Sequence, residues 1–197
     1  MENLNIALIG CGMIGREHIE RIQNRIRNAR IVAVCDVFEE GAKKGAEIAG
    51  AGTKVYTDFN EAINDPDVNA VVVTTPGQFH KGPVLAAIKA GKPVFSEKPL
   101  ANTAADGKEI VEAEMAGGKH LVQVGFMRRY DRGYRQVKEL IDSGKFGAPM
   151  VIKCTHRADG VADDYTTAMA VTDTAIHEID VLPVSYTHLR AHETSLH

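Results

Sequence analysis

The stretch Leu4-Asn5-Ile6-Ala7-Leu8-Ile9-Gly10-Cys11-Gly12-Met13-Ile14-Gly15 decides the fold of this 197-residue chain. Leu4 to Ile9 reads as a buried strand, and Gly10 ends it. Ile14, His18, Ile19, Ile22 and Ile26 then recur at helical spacing. A Gly-x-Gly-x-x-Gly run is a weak signal alone. Between a strand and a helix, it stands in the setting that a dinucleotide fingerprint requires. Gly10 permits a tight turn, Gly12 lets backbone approach a pyrophosphate, and Gly15 lets helix and strand pack closely. The helix N-terminus adds amides and a partial positive charge for phosphates.

Working outward, Ile31 to Cys35 is a second strand, closed by Asp36 twenty-one residues after Gly15. A carboxylate there can hold both hydroxyls of a ribose and repels a 2′-phosphate. Val37 offers such a phosphate no positive charge, so NAD is expected over NADP. Lys43 and Lys44 on the next helix are the counter-signal, since they could swing in. The alternative is a glycine-rich turn without a ligand, with Asp36 as a turn cap.

The rest of the first 125 residues repeats the alternation. Helices are expected over Glu39 to Ala49, after Asp58, from His80 to Ala90 and from Thr103 to Ala116. Asp58 with Glu61 looks like a capping box, and Gly91 and Gly117-Gly118 are placed as helix stops. Strands are expected at Lys54 to Tyr56, Asn69 to Val73, Pro93 to Phe95 and Leu121 to Val124. This pattern predicts an α/β fold, a doubly wound parallel sheet with right-handed crossovers. Beyond it come a helix near Arg132 to Ser143, a strand near Met150 to Thr155, a polar loop, and a short helix from about Thr172. That is the beginning of a second α/β domain.

Composition narrows the class. The chain is 44% hydrophobic and 25% charged, which is ordinary for a soluble globular protein. A net charge of -3 gives no reason to expect nucleic acid or an anionic membrane as partner. No run approaches the roughly eighteen apolar residues of a membrane span. No basic segment with a cleavage site opens the chain, so a cytoplasmic protein is expected. Cys11, Cys35 and Cys154 show neither disulfide nor metal spacing, in keeping with a reducing compartment.

Two clusters carry chemistry. Lys98 leaves the end of a strand in Val94-Phe95-Ser96-Glu97-Lys98-Pro99-Leu100, where it can meet the reactive end of a cofactor. Asp173 and His177 are four apart and share a helix face, so the carboxylate can orient the ring and favour its charged form. Such a pair suits a base that takes an alcohol proton as hydride leaves the same carbon. Lys98 could stabilise charge on that oxygen. The alternative for Asp173 and His177 is a helix cap beside an ordinary histidine. Arg128 and Arg129 contact substrate hydroxyls, or they pair with Asp131 or Glu139. Thr155-His156-Arg157 lines a pocket, or it is a solvated edge.

Taken together, GCGMIG (10–15), TTPGQFH (74–80), SEKPL (96–100) and DTAIHEID (173–180) resemble the Gfo/Idh/MocA oxidoreductases, over roughly residues 3–182. The resemblance implies an NAD-binding Rossmann domain over 1–125. It implies that 126–182 is the first part of a substrate domain built on a large open sheet. Cofactor contacts are then expected from Gly10, Gly12, Met13, Ile14, Gly15, Asp36, Val37, Thr74, Thr75, Pro76, His80, Glu97, Lys98 and Gln123. Lys98, Asp173 and His177 become the catalytic group, and with Arg128 and His156 they would bind substrate. No metal is implied. VQVGFMRRYD (122–131) and DTAIHEIDVL (173–182) carry a nearer likeness to the family's inositol-oxidising members. The expected reaction is therefore NAD-dependent oxidation of a cyclic polyol, myo-inositol, to a keto-inositol; the alternatives are another sugar or polyol dehydrogenase of the same family, or a non-catalytic NAD-binding module. Thr75-Pro76-Gly77-Gln78 stands where those members often carry a Trp-Gly pair, and is nearer the general sugar-dehydrogenase pattern. The resemblance also implies a homo-oligomer, a dimer or tetramer.

The likeness stops near Leu182. Residues 183–197 begin with a helix-breaking proline, carry three histidines, and look like translated adapter sequence, so they are expected to be non-native. His188-x-x-x-His192 has helical metal-ligand spacing, which is accidental on that reading. The chain is then a truncated fragment, expected to bind NAD yet to be poorly soluble and nearly inactive.

Overall fold

β1 (Leu4–Ile9) lies at the centre of the first of two units, Met1–Gly125; the second begins at Phe126. The structure is a computed structural model that describes residues 3–157, 160, 163 and 165–186, the last four as backbone only. Residues 187–197, with His188 and His192, lie outside the described residues.

In the first unit, β1 is followed by α1 (Met13–Arg25), β2 (Ala29–Cys35), α2 (Glu39–Ala49), β3 (Lys54–Tyr56), α3 (Phe59–Asn64) and β4 (Ala70–Val73). Then come α4 (Lys81–Lys89), β5 (Val94–Ser96), α5 (Ala104–Ala116) and β6 (Val122–Val124). All five strand pairings are parallel, in the order β3-β2-β1-β4-β5-β6. This is the doubly wound order that the alternating sequence pattern predicts.

A strand covered on both faces must be apolar at every position. β1 meets that demand from Ile6 to Ile9, and its alternating residues divide between two cores. Ile6 and Leu8 pack with Val34, Val72, and Ile19 and Ile22 of α1. Ala7 and Ile9 pack with Val71, Val73, Ile63 of α3, Val84 of α4 and Ile110 of α5. Leu8 is fully buried, and burying a leucine contributes about 1.5–3 kcal/mol.

Helix ends follow local chemistry. Asp58 caps α3, its Oδ1 accepting from the Asn60 amide at 2.7 Å. Thr103 caps α5 through the Asp106 amide at 3.1 Å. Gly91 and Gly118 adopt φ of 67° and 64°, the left-handed conformation that stops a helix cheaply only at glycine.

One buried carboxylate ties β3 to the turn after α3. Asp65, only 5% exposed, accepts from Lys54 Nζ at 2.7 Å, Tyr56 Oη at 2.5 Å and the Asp67 amide at 2.8 Å.

The second unit holds a 3-10 turn (Met127–Tyr130), α6 (Arg132–Asp142), α7 (Thr167–Met169), a π-helical stretch (Ala170–Ala175) and α8 (Ile176–Tyr186). Three expectations are corrected here. Met150 to Thr155 is not a strand. A strand needs a ladder partner, and among the described residues of this unit no strand is present. Met150 and Val151 are accordingly 95% and 86% exposed. The last helical run begins at Thr167 and not near Thr172, because Thr166 Oγ1 caps it by accepting from the Met169 amide at 3.3 Å. Pro183 does not break α8, which continues to Tyr186. The proline removes one amide donor, and the carbonyl it would have reached belongs to exposed Ile179, where water can replace it.

Asp65 links this fold to pH. Burial alone would push its carboxyl up, but the bonds from Lys54, Tyr56 and the Asp67 amide outweigh it and hold the group at about 2, below its ordinary 3.8. A depressed carboxyl contributes stability above its unfolded value and loses it as pH falls through its folded value. Asp65→Asn is therefore expected to lower the unfolding midpoint at neutral pH. Its deficit against the parent should shrink as pH approaches about 2, followed by circular dichroism. A deficit that stays constant with pH would remove Asp65 from the acid limb.

Candidate cofactor and catalytic site

Because every strand of the first sheet is parallel, all their C-terminal ends lie along one edge. The strand order reverses between β1 and β4, which opens a crevice at that edge. Gly10 and Thr74 are the residues that follow these two strands. Thr74 joins them: its amide donates to Ile9 O at 2.8 Å and its hydroxyl to Gly10 O at 2.7 Å.

The glycines act as their positions suggest. Gly10 has φ 99°, and a Cβ there would lie 2.6 Å from the Thr75 amide nitrogen. A Cβ at Gly15 would sit 2.0 Å from Gly10 O, so only glycine lets α1 start this close to the end of β1. Gly12 differs, since no heavy atom lies within 4 Å of the place its Cβ would take. The space in front of the α1 N-terminus is open. Met13 and Ile14 flank it, 69% and 42% exposed.

Asp36 stands beside this loop. Its Oδ2 accepts from the Cys11 amide at 2.8 Å and its Oδ1 from the Phe38 amide at 3.0 Å. Each carboxylate oxygen has a second lone pair that can accept from a vicinal diol. Val37 and Phe38 follow at 80% and 75% exposure, an apolar shelf at the end of β2. Lys43 does not reach toward this site in the structure: its Nζ lies 3.1 Å from both Glu39 Oε1 and Glu40 Oε1. Cys11 and Cys35 are buried, and burial first, then the charge of Asp36, pushes both thiols up to about 12. They are inert packing groups at neutral pH.

Thr75 Oγ1 is buried without a hydrogen-bond partner among the described residues. A buried hydroxyl left so marks a place where a ligand can complete the set. The open Gly12, the diol-ready Asp36 and the orphan Thr75 together fit a nicotinamide dinucleotide.

The remaining expected contacts are placed unevenly. Pro76 is exposed. His80 is only 1% exposed, with Nδ1 2.6 Å from Pro99 O and Nε2 2.7 Å from Thr75 O, so its ring lies beneath the loops and holds them. Gln123 is exposed on β6 and donates to Val124 O at 3.1 Å. Glu97 and Lys98 follow β5 on the same edge. Burial would push the Glu97 carboxyl up, but the His18 hydrogen bond and charge, with the Lys98 amide, hold it below the usual range.

In the second unit, Asp173 is exposed in the π-helical stretch, and His177 is buried one turn on in α8. π turns are rare and frequently mark functional sites. Arg128 and Arg129 pair with neither Asp131 nor Glu139. Arg128 bonds the Glu178 carboxylate, its NH1 donates to Tyr134 Oη at 2.8 Å, and its NH2 lies 3.2 Å from His156 Nδ1. Arg129 grips Asp180, its Nε 2.8 Å and 3.0 Å from the two oxygens. Sequence reasoning missed His18 and Glu178. His18 was visible as the one polar member of an isoleucine stripe, but its partner lies 79 residues away.

Comparison with known proteins places this geometry. Residues 4–126 match the Gfo/Idh/MocA oxidoreductase family, NAD-binding Rossmann fold. An inositol 2-dehydrogenase of Azotobacter vinelandii is 55% identical over 179 residues, covering 91% of this chain and 53% of that protein. One from Klebsiella pneumoniae is 48% identical over 180 residues, with 91% and 53% covered. Among solved structures, myo-inositol dehydrogenase from Lactobacillus casei in complex with NAD(H) and myo-inositol is 42% identical. It superposes with a TM-score of 0.89 over 94% of this chain and 55% of that one. The chain spans about half the length of the curated relatives it matches.

Gly12→Ala separates the fold from the site. Its Cβ meets no protein atom, so the unfolding free energy is expected to stay within about 0.5 kcal/mol of the parent. Dinucleotide affinity, measured by fluorescence titration, is expected to fall at least about tenfold, because the methyl occupies the pyrophosphate's approach.

Proposed function

The chain belongs to the Gfo/Idh/MocA family of oxidoreductases with an NAD-binding Rossmann fold, and from that premise we propose its reaction. The chain carries the cofactor half, and the first part of the catalytic half, of an NAD-dependent dehydrogenase. The substrate is a cyclic polyol, myo-inositol, and the product a keto-inositol. The observation that carries this reading is Lys98 at the C-terminal sheet edge that also holds the open Gly12 loop and Asp36.

The residues divide the work. The first amides of α1 and the backbone at Gly12 receive the pyrophosphate. Asp36 accepts from the ribose hydroxyls and excludes a 2′-phosphate, while Glu39 and Glu40 keep Lys43 occupied. A bound nicotinamide dinucleotide would supply the acceptor for the hydride that leaves the carbinol carbon. Lys98 donates to the alcohol oxygen and offsets the negative charge that grows there. His177 takes the hydroxyl proton as the C–H bond breaks and the C=O bond forms. Asp173 orients its ring and favours the imidazolium that results. Arg128 and His156, which meet at 3.2 Å, contact the other ring hydroxyls of the polyol.

Other features set the context. Among the described residues, no helix is long and apolar enough to cross a membrane, and no group of three or more His, Cys, Asp or Glu could hold a metal. The reading makes the protein a cytoplasmic homo-oligomer, dimer or tetramer, acting on a small molecule and on neither nucleic acid nor membrane. A second reading, another cyclic polyol or sugar, is favoured by one observation: the chain has no tryptophan, hence no Trp-Gly pair at 75–78. A scyllo-inositol dehydrogenase of Lactobacillus casei is also similar, at 27% identity and a TM-score of 0.77.

NADH titration of the 197-residue chain tests the cofactor half: binding is expected, with NADPH much weaker. Turnover is tested by joining the chain to the second half of the Azotobacter vinelandii relative and offering myo-inositol, scyllo-inositol and glucose with NAD. Lys98→Met in that protein is expected to keep the NADH affinity within about twofold while lowering kcat at least about a hundredfold. Preference for NADPH, or a folded joined protein that oxidises no polyol, would overturn the reading.

A further inference from the structure

The lysine side chain is long and flexible, so its ammonium can be aimed only if its backbone is held. The sheet cannot do this. The last ladder bond of β5 is made by the Glu97 amide, which donates to Val73 O at 2.9 Å. Pro99, one residue past Lys98, has no amide to donate. Two histidines, His18 within α1 and His80 just before α4, reach the segment instead.

We propose that His18 and His80 are positioning residues for Lys98, pinning the backbone on both of its sides. This rests on the reading that Lys98 is the catalytic lysine. On the near side, His18 Nε2 of α1 donates to Glu97 Oε1 at 2.8 Å, and Glu97 Oε2 accepts from the Lys98 amide at 3.3 Å. The His18 ring is itself held edge-on to Phe95, with centroids 5.7 Å apart at 62°. The two side chains are 19% and 23% exposed, so this pair is shielded far more than a surface ion pair. On the far side, the His80 ring spans Pro99 O at 2.6 Å and Thr75 O at 2.7 Å, 1% exposed. Both carbonyls only accept, so a ring nitrogen that carries the proton donates to the carbonyl it faces.

The consequence is a shared frame. α1 begins at the dinucleotide loop, and Thr75 carries the orphan hydroxyl beside it. The histidines tie Lys98 to both. The lysine thus keeps its register with whatever the loop binds, to the tolerance of about 0.5 Å that a catalytic group needs.

His18→Phe keeps a ring against Phe95 and deletes the hydrogen bond. His18→Gln can place an amide N–H near the lost Nε2. Hydrogen exchange on the 197-residue chain reads the Lys98 amide directly, without turnover. His18→Phe is expected to speed that exchange about tenfold or more and to leave NADH affinity within about threefold, while His18→Gln recovers most of the protection. In the joined protein, kcat is expected to fall about 10- to 100-fold in His18→Phe, with KM for the polyol within a few fold. His80→Gln, which can keep one bond but not both, is expected to show a smaller change in the same direction. Unchanged exchange and kcat in His18→Phe, or a folded His18→Gln that recovers neither, would overturn the proposal. If His18→Phe does not fold, Glu97→Gln removes the carboxylate's charge at constant shape. Native exchange at Lys98 in that variant overturns the proposal equally. Because exchange needs no substrate, absence of polyol oxidation alone sinks the proposed reaction and leaves the clamp measurable. Turnover without a His18 effect sinks the clamp alone.

Discussion

Everything in the first unit depends on one close approach. The carbonyl of Gly10 and the α-carbon of Gly15 lie so near that a single added methyl would meet that oxygen at 2.0 Å. Two glycines allow β1 to turn directly into α1, and the helix N-terminus is thereby held over the crevice between β1 and β4. Gly12, exposed at the tip of the turn, leaves the space in front of that N-terminus empty. The same contact sets where His18 sits, one turn along α1, and hence which carboxylate it meets. A cofactor loop and a lysine-bearing strand end, far apart in sequence, are brought into one frame by the packing of a single helix.

The second unit is held by a different force. Among the described residues its helices carry few buried side chains, and α6 has none. Charge pairs join the 3-10 turn to α8: Arg128 with Glu178, and Arg129 with Asp180, whose side chain is 5% exposed. A buried carboxylate held by a forked guanidinium is a directional contact that orients α8. His177 lies directly before Glu178 on that helix, so its orientation within the unit follows from the arginine pair.

Much of this was legible in the sequence. The six strands and five helices of the first unit follow from apolar periodicity, with small shifts: β2 starts at Ala29, and β5 ends one residue later, at Ser96. The helix stops at Gly91 and Gly118 follow from conformations that glycine adopts cheaply. The misreadings have a common cause. Met150 to Thr155 has the composition of a strand, but composition cannot supply the partner a strand requires. Thr172 looked like a helix start, but Thr166 supplies an earlier cap. Pro183 looked like a stop, but an exposed helix flank tolerates a missing donor. Arg128 and Arg129 had acidic neighbours at short range, Asp131 and Glu139, and chose partners 50 and 51 residues away.

Sequence by itself determined the family, the doubly wound sheet and the residue types at its ligand-binding edge. Those are properties of local spacing: a turn that only glycine permits, a carboxylate at a strand end, apolar runs of strand length. Tertiary structure decided which charged and polar groups meet. It buried His80 beneath the loops and set His18 against Glu97. Those pairings depend on distances through space between segments whose separation along the chain carries no information about them. Only a packed core brings such groups within the 3 Å or so at which a hydrogen bond acts.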